Sequence, residues 1–140
     1  MRDTIKDYLE ADATLTGLLT GGIYAVPEIS RQDTPDAFDA NGEIEPCGLV
    51  KLETEGQFGP YEEAGGISAR LYVAVFFYQR TGYDVIDPAL ARTRTLLHKQ
   101  NLSTSGVWEI SWVDDVMDQE DEALGCAMSM SRYMVTRLHS

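Results

Sequence analysis

The sequence predicts an α+β fold: a single domain spanning residues 1–140, with a mostly antiparallel sheet, helices packed against it and the element order α-β-β-α-β-β. Three observations carry this reading. The stretch ISARLYVAVFFYQR (67–80) alternates with period two and is apolar on both faces, as expected of a strand at the centre of a sheet. DVIDPALARTRTLLHKQ (84–100) instead places Ala89, Thr93, Leu96 and Leu97 on one helical stripe, with Ile86 and Leu90 beside it. Two further alternating segments, GVWEISWVDD and CAMSMSRYMVTRL, follow that helix and bracket an acidic tract.

In chain order, RDTIKDYLEADATLTGLL reads as a helix broken in two. Ile5, Tyr8 and Leu9 share a face, and Asp3 can cap the start. Asp12 can cap a second turn carrying Leu15, Leu18 and Leu19, which Gly21-Gly22 ends. IYAVPEI is extended, and Pro27 restricts it to a sheet edge. Thr34-Pro35 can start one helical turn running to Asn41-Gly42. CGLVKLETE is a strand with Leu49 and Lys51 on one face and Val50 and Leu52 on the other. GQFGPYEEAGG is a long contact loop. In the main helix, Asp84 is the expected N-cap, Pro88 belongs to the first turn, and Arg92, Arg94 and Lys99 face solvent. Trp108, Ile110 and Trp112 line one face of the next strand, Gly106–Val113. In the last, Cys126–Leu138, Cys126, Met128, Met130 and Met134 oppose Ala127, Ser129, Ser131 and Tyr133.

At 140 residues, 44% hydrophobic and 24% charged, the chain can bury a real core. Its net charge of −12 repels nucleic-acid phosphates and anionic membranes, which argues against direct binding to either. Eight acids between 36 and 63 face only Lys51, so that segment could alternatively engage a basic partner. No apolar run reaches the length of a membrane span. The opening MRDTIKDYLEAD lacks a signal-peptide core, and with two isolated cysteines this suggests a reducing, intracellular folding environment.

Catalytic patterns are missing. Neither His98 nor His139 sits in a GxSxG, HExxH or Cys-His context, and no glycine cluster has phosphate-loop spacing. No catalytic, cofactor-binding or metal-ligating residue is assigned. The tract WVDDVMDQEDEALG is the exception to weigh, since six of the nine residues 114–122 are carboxylates. A divalent-metal enzyme built on them is an alternative. However, EF-hand spacing is absent, and the tract holds no internal glycine for the sharp turn. The simpler expectation is a solvated turn between two strands that keeps the sheet edge from aggregating.

The element order resembles the tail terminator (tail completion) proteins of long-tailed bacteriophages and the related small head–tail joining proteins. The likeness runs from the helix with Leu9 and Leu15 through GGIYAVPEI, EPCGLVKLETE, ARLYVAVFFYQRTGYD and DPALARTRTLLHKQNL to the final strand pair. It implies a virion protein of the phage neck or tail top, assembled in the host cytoplasm, without catalysis or cofactor. The resemblance also implies a homo-oligomer, usually a hexameric ring, that caps the tail tube protein and meets a head–tail connector or stopper protein. DNA would pass through its lumen without specific binding. On this reading Asp114, Asp115, Asp118, Glu120, Asp121 and Glu122 lie in or near the channel. Phe38, Phe58, Tyr61, Glu62, Glu63 and Tyr83 are the expected subunit or ring contacts.

Overall fold

The structure, a computed structural model, describes residues 2–57, 67–100, 102 and 107–139. Its centre is the strand predicted to be central. Counting in chain order, α1 (Arg2–Glu10) and α2 (Ala13–Leu18) precede the short strand β1 (Ile23–Tyr24) and a 3-10 turn at Pro35–Ala37. Then come β2 (Cys47–Gln57), β3 (Ile67–Gln79), α3 (Ile86–Leu97), β4 (Val107–Asp121) and β5 (Cys126–His139). The sheet runs β1-β2-β3-β5-β4 and is antiparallel except for β1, which pairs with β2 in parallel. β1 is the edge piece that Pro27 foretold.

The three α-helices among the described residues lie on one face. Ile5 and Leu9 of α1, Leu15 of α2, and Ile86, Ala89, Leu90 and Leu97 of α3 pack on Val50, Leu71, Val73, Val75, Phe77, Ile110, Tyr133 and Val135. The period-two face of β3 therefore meets the period-3.6 stripe of α3 directly. Among the described residues, the opposite face is covered at one end. There the loop 25–46 brings Ile29, Ala37 and Ile44 onto Cys47, Leu49, Tyr78 and Cys126. The loop holds its shape with its own polar groups. Thr34 Oγ1 donates to Ser30 O at 2.9 Å, Asp39 Oδ1 accepts from the Asn41 and Glu43 amides, and Glu45 N donates to Ala37 O. The helical turn expected from Thr34 stops at Ala37, because Phe38 leaves it extended and bridges to Ile44. Burial pushes the Cys47 thiol up to about 12 and the Cys126 thiol to about 11, so both stay protonated at neutral pH.

Two caps decide where the helices sit. Asp12 accepts from Leu15 N at 2.9 Å, as its position before α2 predicted. It also receives both Nε (3.0 Å) and Nη2 (2.7 Å) of Arg92, which ties α2 to α3. Arg92 is therefore half-buried in a bidentate pair and does not simply face solvent. Its guanidinium holds the Asp12 carboxyl below the ordinary 3.8. The N-cap of α3 is Val85, not Asp84, and it offers no side-chain cap. The amides of Val85 and Ile86 instead donate to Gln79 Oε1 at 3.0 and 3.1 Å, while Gln79 Nε2 donates to Thr81 O and to Asp84 Oδ1. A side chain at the end of β3 thus caps the helix that follows it.

Candidate functional site

The acidic tract is a strand, not a turn. β4 continues through Val113 to Asp121, and only residues 122–125 form the turn. Extended pairing reaches the tract because Val116 lies opposite Met130 and Asp114 opposite Arg132, giving apolar and ion-pair partners across the ladder. The register slips twice, between Trp112 and Asp114 and between Val116 and Gln119. Asp118 takes a φ of 55° at the second slip.

These irregularities divide the six carboxylates. Asp114 is taken by Arg132, whose Nε and Nη2 donate at 3.0 and 2.7 Å, and this pair lowers its pKa below 3.8. The same guanidinium reaches Glu53 at 3.5 Å, with Ala74 standing opposite Arg132 in the ladder and leaving it room. Asp115 points toward the helix layer. Its Oδ1 accepts from Trp112 Nε1 at 2.8 Å and Ser131 Oγ at 2.7 Å, and its Oδ2 accepts from Arg94 Nη1 at 3.2 Å. The Arg94 guanidinium also lies 4.9 Å over the Trp112 ring. Arg94 thereby lies against β4 while its side chain stays 42% exposed, on the solvent side where the helical spacing placed it. Asp121 Oδ1 accepts from Leu124 N at 2.9 Å and shapes the turn, which closes at Gly125 with φ 65°. Among the described residues, only Asp118, Glu120 and Glu122 of the six are exposed with no side-chain hydrogen bond or ion pair. Asp118 still acts at a distance: after burial, its charge is the second cause raising the Asp87 carboxyl above 3.8.

The outer edge of β4 is blunted along its length. Lys99 N donates to Ile110 O, Ile110 N to Gln100 O, and Trp112 N to His98 Nδ1, so the segment after α3 covers one end. The two bulges interrupt the middle, and the Tyr83 hydroxyl donates to Gln119 O at 2.8 Å near the other end. This edge is built to refuse a further strand.

The expected contact residues fare unevenly. Tyr83 is half-buried, clamps β4 through that hydroxyl and packs on the main core. Phe38 is half-buried in the second core cluster with the Arg31 guanidinium 5.0 Å over its ring. Both have local structural work. Phe58, Tyr61, Glu62 and Glu63 lie outside the described residues.

Two open grooves flank the β4–β5 turn. One, of about 360 Å³, lies against the Arg80–Tyr83 turn and Glu120–Glu122. The other, of about 410 Å³, lies on the open sheet face between that turn and the Pro27–Ser30 segment. Sequence reading missed the second, because its floor combines β2, β3 and β5 with a loop segment more than forty positions from Phe76 and Tyr78. Among the described residues, no three His, Cys, Asp or Glu side chains converge to hold a metal ion, and no helix is long and apolar enough to cross a membrane.

Neither a protein-family model nor a curated protein matches the sequence. Solved structures do match. One chain, from the virion of a native gene transfer agent particle, aligns with a TM-score of 0.67 over 100% of this chain and 95% of its own length, at 15% identity. At that identity, the likeness establishes a shared fold.

Proposed function

We propose that this chain is a structural protein of a phage-like virion, acting at the head–tail junction as a ring-forming, tail-terminator-like subunit. The observation that carries the reading is the end-to-end match to a virion chain, with almost nothing of either chain left over. The net charge of −12 and the three unpaired carboxylates at the hairpin end support a further element. Facing a lumen, such charge keeps DNA moving without adhesion by like-charge repulsion. In this reading the partners are copies of the chain, a tail tube protein below and a connector or stopper protein above, and the chain does no catalysis.

Immunogold labelling of particles released by cells carrying this gene should place the protein at the junction of head and tail. Label confined to the capsid shell or absent from particles would sink the reading. The lumen element has its own test. Replacing Asp118 with Asn and Glu120 and Glu122 with Gln removes three charges that no side-chain contact uses. The melting temperature should not move, while retention of duplex DNA by the purified protein should rise roughly tenfold at low salt. Unchanged retention would put these carboxylates away from the DNA path.

A further inference from the structure

We infer that the groove on the open sheet face is a docking site for a protein segment carrying an apolar anchor residue flanked by lysine or arginine. The floor is apolar: Leu49, Phe76, Tyr78 and Met128 from the sheet, with Leu124 from the turn and Ile29 from the loop. Phe76 and Tyr78 lie nearly parallel with centroids 6.5 Å apart, which gives the floor a flat aromatic surface. Helices cover the other side of these strands, whereas here Phe76 and Met128 stay half-exposed. The same face continues from Met128 to Met130, also half-exposed, before Arg132 with Asp114 and Glu53 interrupts it. Methionine at a surface adapts its shape to an incoming side chain, and a contiguous apolar patch of this kind marks a contact site.

Charge selects the occupant. Glu28 and Asp121 line the groove against the single cation Lys51. Beyond the groove lining, the loop 25–46 that supplies this wall also carries Asp33, Asp36 and Asp39, all exposed, while its one base, Arg31, is held by Gly42 O and the Phe38 ring. A second copy of this chain would bring another net charge of −12 to the same rim, which opposes self-association there. A partner with cations on either side of its anchor residue would gain at both rims, and complementary charge of this kind mainly speeds and orients docking. The inference does not depend on the virion reading, since the groove and its rim belong to the isolated chain.

Methyl-labelled methionine provides the readout. The purified protein is titrated with the acetylated, amidated peptide Gly-Lys-Phe-Lys-Leu-Lys-Gly and followed by carbon–proton correlation spectra. The Met128 methyl should shift saturably, and Met117 on the β4 edge should not. The charge-reversed peptide Gly-Glu-Phe-Glu-Leu-Glu-Gly should leave Met128 unmoved. Asp121→Asn keeps the acceptor for Leu124 N and should raise the peptide midpoint about threefold. Met128→Lys, which puts a cation on the groove floor, should abolish binding as read by anisotropy of a dye-labelled peptide, with far-UV circular dichroism confirming the fold. No saturable Met128 shift, or an equal shift with the acidic peptide, would overturn the inference. So would a Met128 shift driven by protein concentration alone together with a doubled sedimenting mass, because a second copy would then be the occupant.

Discussion

Gln79→Ala is expected to lower the unfolding free energy by about 3 kcal/mol, although the residue belongs to no apolar cluster. Its amide makes four hydrogen bonds. Oε1 accepts from Val85 N and Ile86 N, and Nε2 donates to Thr81 O and Asp84 Oδ1. Gln79 is 7% exposed, and Ile86 is fully buried. Truncation therefore leaves the Ile86 amide unsatisfied inside the protein, and water cannot replace the lost acceptor without opening the turn. Among the described residues no other side chain caps the start of α3, so that end of the helix and its packing on β3 and β5 loosen together. Urea unfolding followed by circular dichroism measures the loss, and the melting temperature should fall by about 10 °C. A loss under about 1 kcal/mol would show that the turn holds itself without the amide. Gln79→Glu separates acceptor from donor. The carboxylate can still receive both helix amides but meets Asp84 where an N–H stood. Its folded-state pKa should be raised, so its melting-temperature deficit relative to wild type should narrow as pH falls from about 7 toward about 5.

The same residue shows where the sequence stops being readable. Most local signals held. The two apolar faces of β3, the Ala89–Thr93–Leu97 stripe of α3, the Asp12 cap and the edge position of β1 all follow from spacing within a few residues. The α3 cap failed because Asp84 has the right chemistry and the right place. Gln79 outcompetes it by reaching past the turn with both an acceptor and a donor. Asp12 was legible as a cap but not as the partner of Arg92, eighty positions away. The tract 114–122 failed for a related reason. Its composition disfavours a strand, yet Arg132 and Met130 on β5 supply partners for Asp114 and Val116, and tertiary pairing overrides weak propensity. Buried serines on β5 were equally opaque: Ser131 is buried because Asp115 arrives from the neighbouring strand to meet its hydroxyl.

Asp115→Ala should cost about 2–3 kcal/mol, whereas Glu120→Gln and Glu122→Gln should each fall within about 0.5 kcal/mol of wild type. Composition treats these carboxylates as one acidic run, but the structure assigns them different work. The Asp115 side chain is 14% exposed and gathers donors from three elements: Arg94 of α3, Trp112 of β4 and Ser131 of β5. Removing it leaves the buried Ser131 hydroxyl with only the Tyr133 hydroxyl, 3.0 Å away, and releases Arg94 from the Trp112 face. Asp115→Asn should lose about half as much, since an amide oxygen still accepts from Trp112 and Ser131 while the charge facing Arg94 is gone. Tryptophan fluorescence supplies a local probe, and the Asp115→Ala emission should move to longer wavelength before any global unfolding. Equal, small losses at Asp115, Glu120 and Glu122 would mean that the tract is a uniform charged surface. Unequal losses would mean that part of its charge is held by the fold, which leaves Asp118, Glu120 and Glu122 as the carboxylates free to act on whatever this end of the molecule faces.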